Sequence, residues 1–90
     1  MRLIWDETKN AANRKKHGIA FATAVDFDWS TATTSLDKRR DYGETRFIGV
    51  GYIDSRLHVL IYTRRQETIR IISLRKANDR ELGNYEQQTS

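Results

Sequence analysis

The chain has 90 residues, which is enough for one domain with a single modest core. Its apolar and aromatic content excludes intrinsic disorder, and the absence of cysteine excludes disulfides, thiol catalysis and zinc ribbons. The 16 Lys and Arg residues outnumber the 12 Asp and Glu residues, so the net charge of +4 suits a polyanionic partner without requiring one. No segment has the roughly 18 apolar residues of a membrane span or the apolar run of a signal peptide. We therefore expect a cytoplasmic protein with no membrane partner.

The chain begins with a short strand and a helix whose two ends are both marked in the sequence. Residues 3–5 are an apolar run that predicts an edge strand. Asp6 is a capping residue for a helix over residues 7–17, and Gly18 supplies the left-handed residue with which helices commonly end. This helix has few apolar residues, so much of it must face water or a partner.

The rest of the chain predicts one more short helix, a sheet and a closing helix. Residues 19–27 have the apolar spacing of a short helix, the Thr- and Ser-rich segment through Ser35 favours a strand, and residues 36–44 form a charged loop. Three strands of period two follow at 46–52, 57–64 and 68–75, before a helix at 76–87. The prediction is a single α+β domain over residues 1–90, with N-terminal helices, an antiparallel sheet of about four strands and a C-terminal helix.

Two-residue hairpin loops at 54–55 and 66–67 would sort the side chains of the three strands onto two faces. The first is predicted to be the core face, with basic residues toward one end: Ile48, Val50, Tyr52, Leu57, Val59, Ile61, Ile72 and Leu74, with Arg46, Thr63 and Arg70. The second is mixed: Phe47, Gly49, Gly51, His58, Leu60, Tyr62, Arg64, Ile69, Ile71, Ser73 and Arg75. The two glycines are expected to leave a hollow on this second face.

Basic residues cluster in two places. The first cluster is on the N-terminal helix: Lys9, Arg14, Lys15 and Lys16, with His17 beside them. The second is on the last hairpin: Arg64, Arg65, Arg70, Arg75 and Lys76. The simpler interpretation is a solvated surface, but cations on neighbouring strands repel one another unless an anion compensates. Phosphate binding is the alternative.

These residue types are sufficient for RNA cleavage without a metal or cofactor, because the ribose 2′-hydroxyl is the nucleophile. Arginine can stabilise the phosphate charge through its planar fork, while lysine, histidine or tyrosine can move protons. Aromatic side chains can stack on unpaired bases, and Trp5 and Tyr62 are the candidates. The structural alternatives are a core role for Trp5, a favourable helix-end charge for His17 and a strand-surface position for His58. Spacing alone makes a ribonuclease one of several possibilities.

Three segments carry a resemblance to a known family: WDETKNAANRKKHGIAF, GETRFIGVG and VLIYTRRQETIRIISLRKA, followed by Glu81 and Tyr85. From about residue 3 to residue 85 the chain resembles the BrnT family, the toxins of type II toxin–antitoxin pairs. The resemblance implies a RelE-like fold and a metal-independent endoribonuclease that inhibits translation. It also implies a BrnA-type antitoxin partner, whose ribbon-helix-helix domain would let the complex bind and repress its own promoter.

The resemblance also selects most of the candidate site residues, and the two basic clusters add Lys15 and Arg64. Those expected to be catalytic are His17, Lys16, Arg65, Arg75 and Tyr62, with His17 or Lys16 in proton transfer and Arg65 and Arg75 on the phosphate. Those expected to bind RNA are Lys9, Lys15, Arg64, Arg70 and Trp5. Two residues depart from the family pattern: Arg64 stands where relatives often have an acidic or other residue, and Gln66 replaces a frequent glycine. A non-catalytic nucleic-acid-binding module and a pure interaction domain for an acidic partner are the competing functions.

Overall fold

A computed structural model describes all residues of the chain, 1–90, as a sheet with helices on both sides. The elements in chain order are β1 (Arg2–Trp5), α1 (Glu7–His17), a 3₁₀ helix (Phe21–Asp26), β2 (Thr33–Leu36), β3 (Phe47–Ile53), β4 (Arg56–Arg65), β5 (Thr68–Lys76) and α2 (Asp79–Thr89). The predicted elements are present with shifted ends. Neither α-helix is long and apolar enough to cross a membrane.

The sheet has five strands in the order β1-β5-β4-β3-β2, so the prediction of about four antiparallel strands is wrong in two respects. All neighbours are antiparallel except β1 and β5, which run parallel. The two edge strands, β1 and β2, are each only four residues long. Such short edge strands have little periodicity, and the partner of β1 lies more than sixty residues away in the chain, so no local pattern specifies the pairing.

The predicted signals at the ends of α1 are confirmed. The Asp6 carboxylate accepts hydrogen bonds from the backbone N–H groups of Thr8 and Lys9, at 2.7 and 3.4 Å. Gly18 has a φ of 73°, in the left-handed region. The predicted start of the closing helix at residue 76 is wrong, because Asn78 forms a capping box with Glu81 and the helix begins after it.

Both hairpins have the predicted two-residue loops, since Ile53 pairs with Arg56 and Arg65 pairs with Thr68. The first loop residue of the second hairpin, Gln66, has a φ of 56°. Left-handed backbone of this kind favours glycine, which explains why a glycine suits this position. The substitution by glutamine leaves the loop length unchanged.

The face predicted to be mixed and hollow is instead the centre of the main core. It is called the inner face here and consists of Gly49, Gly51, Leu60, Tyr62, Ile69, Ile71 and Leu74. Phe27, which follows the 3₁₀ helix, fills the space above the glycines, so a Cβ added at Gly51 would lie 2.7 Å from the Phe27 Cζ atom. The predicted hollow is therefore filled by an aromatic ring.

A β-bulge in β5 corrects the predicted faces of three residues. Ile61 pairs with Ser73 and Tyr62 pairs with Ile71, which leaves Ile72 as an extra residue. Beyond the bulge the alternation is shifted by one residue, so Leu74 lies on the inner face and Ser73 and Arg75 lie on the opposite one. The prediction had placed all three on the wrong faces.

The opposite, or outer, face has a smaller apolar cluster that α2 covers only in part. The cluster consists of Leu57, Val59, Ile61, Ala77 and Tyr85, with Ile48, Val50, Tyr52, Ile72 and Leu82 packed around it. The Tyr85 hydroxyl donates a 2.6 Å hydrogen bond to the backbone oxygen of Thr31, which ties α2 to the segment before β2. The end of this face near the β4–β5 loop carries Arg46, Thr63, Arg65 and Arg70.

Candidate active site

Arg75 is held on the outer face with one edge of its guanidinium group available. Its Nη1 and Nη2 atoms donate to the two Glu81 carboxylate oxygens at 2.8 and 2.7 Å, and Nη1 also donates to the Lys76 backbone oxygen at 3.3 Å. The pair raises the pKa of Arg75 and lowers the pKa of Glu81 to about 2. The Nε–H and the second Nη2 hydrogen have no protein acceptor, so this edge can receive a phosphate.

Asn13 attaches α1 to β5 next to the bulge. Its Nδ2 donates to the backbone oxygens of Leu74 and Ile19 at 2.7 and 2.9 Å, and its Oδ1 accepts from the Leu74 N–H at 3.2 Å. The Leu74 N–H and C=O groups have no partner strand on this side because β1 pairs with β5 only as far as Ile71. The buried amide of Asn13 therefore replaces the missing strand and fixes the position of α1.

The anchored helix places Lys16 and His17 close to Ser73 of β5. Together with Lys9 and Ile72 they line a shallow depression of about 210 Å³. Desolvation lowers the pKa of His17 below its ordinary value, and the charges of Lys16 and Arg75 lower it further. A neutral imidazole can accept a proton, and the neighbouring cations can hold a phosphate.

The hairpin end of the outer face forms a separate open groove of about 720 Å³. Glu44 lies in it and accepts hydrogen bonds from Arg46 Nε at 3.1 Å and Arg70 Nη2 at 2.6 Å. Arg65 is exposed there and has no carboxylate within ion-pair distance. Arg75 pairs with Val59, which is six residues, or about 20 Å, from Arg65 along β4. Arg65 and Arg75 therefore cannot bind the same phosphate.

The structure does not bring three of the predicted site residues to either site. Tyr62 is buried at 4% exposure, stacked on Phe47 and in edge contact with Trp29, and burial raises its pKa. The Trp5 indole donates to Glu7 and packs edge-on against Phe21 on the inner side. The third is Lys15, which does not line the depression beside His17, whereas Arg64 lines the hairpin-end groove with Arg65. Predicting an exposed Tyr62 was wrong because the inner face is the core.

Sequence reasoning assigned no role to the two residues that position the site. These residues, Glu81 and Asn13, both belong to the segments that carry the family resemblance. The poor apolar content of α1 was the available signal, because a helix without an apolar stripe needs another means of attachment. Its buried side chains are indeed Asn10 and Asn13. The described residues contain no group of three or more His, Cys, Asp or Glu side chains that could hold a metal ion.

The fold and the site define a small basic α+β domain with fixed guanidinium groups and a neutral imidazole on one side of its sheet. Residues 5–81 match the family described as the ribonuclease toxin BrnT of type II toxin–antitoxin systems, and the chain belongs to this family. It is similar to the 1.1 Å crystal structure of the Brucella abortus ribonuclease toxin BrnT. The two share 28% sequence identity with a TM-score of 0.69, over 88% of this chain and 99% of that one. No curated protein matches the chain in sequence.

Proposed function

We propose that the chain is a metal-independent endoribonuclease that inhibits translation and whose active site lies between α1 and β5 on the outer face. The observation that carries this proposal is the juxtaposition of a neutral His17, the Lys16 ammonium and an oriented Arg75 on one exposed surface. Membership of a family of ribonuclease toxins supports the choice of RNA as the substrate.

The geometry supports cleavage by the 2′-hydroxyl of the substrate itself. The neutral imidazole of His17 accepts the 2′-hydroxyl proton while the oxygen attacks the adjacent phosphorus. The bond to the 5′-oxygen breaks, and that oxygen takes a proton from the Lys16 ammonium, which leaves a cyclic phosphate and a 5′-hydroxyl. The free edge of Arg75 stabilises the charge that develops on the phosphate oxygens, and Lys9, which lines the same depression as Lys16 and His17, binds RNA. These groups stabilise the charge and transfer the protons, which are two tasks that a bound metal ion could otherwise perform.

The family also supports proposals about partners and location. A type II toxin is neutralised by a protein antitoxin, and we expect a BrnA-type antitoxin that brings the complex to its own promoter. The chain would then contact DNA indirectly, through the antitoxin, in the cytoplasm. A sheet with helices before and after it is consistent with the RelE-like relationship that the resemblance implies.

The test is cleavage of a mixed RNA by the purified chain in excess EDTA, with Arg75→Ala and His17→Ala beside the wild type. We expect the wild type to cleave and each variant to lose two or more orders of magnitude in rate, while Arg80→Ala, an exposed arginine on α2, retains activity. Wild-type cleavage by Arg75→Ala would remove that residue from the active site. RNA that stays intact with EDTA, and also with added ribosomes, would favour the non-catalytic binding module.

The low pKa of His17 gives the proposal a pH signature. A base must be neutral to act, so kcat/KM should rise with pH through a pKa below 6.5 and then level off. His17→Gln should abolish this rise along with most of the activity. A profile that keeps the same rise in His17→Gln would assign the titration to another group.

A further inference from the structure

We infer that the groove at the hairpin end of the outer face is a second binding subsite for the RNA backbone, separate from the Arg75 site. This inference rests on the proposed ribonuclease function, and it states where the rest of the RNA substrate binds. The groove is formed by the last residues of β4, the first residues of β5 and the segment before β3. It is open to solvent, and its volume of about 720 Å³ is more than three times that of the depression beside His17.

The charges in the groove are only partly balanced. Arg64, Arg65 and Arg70 line the groove, and Arg46 lies beside it. The one carboxylate among them that forms ion pairs is Glu44, which binds the guanidinium groups of Arg46 and Arg70. Arg64 and Arg65 are left exposed without an acidic partner. The uncompensated positive charge favours an anionic ligand.

Two of these arginines are held in place before any ligand arrives. The Arg46 guanidinium lies 4.1 Å from the centre of the Tyr42 ring while its Nε donates to Glu44. Arg70 donates to the other oxygen of the same carboxylate. A ligand that meets ordered guanidinium groups loses less conformational entropy on binding, which makes the groove a prepared site.

The lining of the groove favours RNA over an acidic protein segment. Its remaining surface includes the hydroxyls of Thr45, Thr63 and Thr68, which suit ribose hydroxyls and phosphate oxygens. The single hydrophobic side chain in the lining is Ile4. A protein partner would need an apolar pocket for its anchoring side chains, and the groove offers none.

The spacing of the two sites sets the length of RNA that can occupy both. Arg70 and Arg75 pair with Thr63 and Val59, which are four residues apart in β4, so the two arginines are about 13 Å apart at 3.3 Å per residue. That distance corresponds to about four stacked nucleotides at 3.4 Å each, and to fewer when the strand is extended. A dinucleotide, which has a single phosphate, therefore occupies one site, whereas a hexadecamer spans both.

The test compares a dinucleotide and a 16-nucleotide RNA as substrates of the wild type, Arg65→Ala and the matched charge control Arg80→Ala. The quantity measured is the ratio of kcat/KM for the long RNA to that for the short RNA. We expect Arg65→Ala to lower this ratio about tenfold, chiefly through the KM of the long RNA, and Arg80→Ala to keep it. Binding of a 2′-O-methyl 16-mer, which cannot be cleaved, should lose about 0.7 from its logarithmic salt slope in Arg65→Ala.

The outcomes separate this inference from the proposed function. Equal losses on both substrates would place Arg65 at the reacting phosphate and overturn the subsite. An unchanged ratio with weakened binding of a polyglutamate peptide would assign the groove to an acidic protein segment and overturn it as well. Failure of the wild type to cleave either RNA, with or without ribosomes, would overturn the ribonuclease and the subsite together.

Discussion

The two faces of the sheet differ in how they are covered. On the inner face, Phe21 and Phe27 close a core over the strands, and the glycines of β3 make room for the Phe27 ring. On the outer face, α2 reaches only part of the surface through Leu82 and Tyr85. The uncovered part carries the arginines. The inner face therefore provides the main core and the outer face provides the candidate site, so substitutions on the two faces should have different effects.

The largest expected effect comes from Arg75→Lys on the outer face. Lysine keeps the charge but cannot bind Glu81 with one edge and a phosphate with another, so RNA cleavage should fall by about 10²-fold. The midpoint of thermal unfolding should change little, because Arg75 is a third exposed. The measurement is kcat/KM on RNA, with Arg80→Lys as the control. Near wild-type activity would mean that charge alone is sufficient and that the free edge has no special role.

Asn13→Ala tests the polar anchor between α1 and β5. The change removes three hydrogen bonds and leaves the N–H and C=O groups of Leu74 without protein partners, so we expect a loss of about 3 kcal/mol in the free energy of unfolding. Urea denaturation measures it. Asn84→Ala, an exposed asparagine on α2, should cost less than about 0.5 kcal/mol. A loss below about 1 kcal/mol for Asn13→Ala would show that water replaces the amide and that the anchor is dispensable.

Gly51→Ala tests the closeness of the inner packing. The added Cβ would lie 2.7 Å from Phe27 Cζ and 3.0 Å from Ala32 Cβ, so we expect about 2 kcal/mol of destabilisation by overpacking. Gly49→Ala should cost less, because its nearest neighbour is a Tyr62 ring atom at 3.3 Å. Thermal denaturation measures both, and RNA cleavage below the unfolding transition should be retained. Equal costs at the two glycines would contradict the packing described for Phe27.

Glu81→Gln gives the smallest expected effect and a pH dependence of definite sign. Arg75 lowers the pKa of Glu81 from 4.5 to about 2, so the folded state holds this proton less tightly than the unfolded state. The stabilisation is present above pH 4.5 and is lost as the pH falls toward 2. Because both side chains are partly exposed, it should amount to about 1 kcal/mol at pH 7.

Glutamine can still complete the capping box with Asn78, so this substitution tests the ion pair with little effect on the cap. The measurement is the urea midpoint of Glu81→Gln and the wild type at pH 7 and at pH 3. We expect the difference between them to shrink at pH 3. A difference that is the same at both pH values would mean that the loss does not come from the ion pair.

The local elements of this fold are predictable from the sequence because their signals are local. Asp6 and Gly18 mark the ends of α1, and the polar pairs at 54–55 and 66–67 mark the hairpins. The assignment of the faces failed because both carry apolar residues, and only the position of Phe27 decides which one forms the larger core. No short pattern encodes that position.

The candidate site was predictable as a set of residue types and not as an arrangement. The basic residues of α1 and the last hairpin were predicted to form two clusters, but Arg75 lies near His17 and far from Arg65. The family resemblance selected Lys16, His17 and Arg75. It also selected Tyr62, which strict alternation put on the same face as Arg75, and the extra residue in β5 breaks that alternation. Glu81 acts through Arg75, in an ion pair that joins β5 to α2. The spacing of residues within a strand or within a helix does not predict which side chains of the two elements will meet.

The bulge at Ile72 has a consequence for how the chain should be aligned with relatives of other lengths. Because Ile72 has no partner in β4, deleting it would leave every remaining pair of the two strands opposite one another as before. Deleting any other single residue from the middle of β5 would shift the pairs on one side of the gap and turn their side chains over. A gap in this strand therefore belongs at Ile72, and an alignment that places it after Arg75 will match Arg75 with an inward-facing residue.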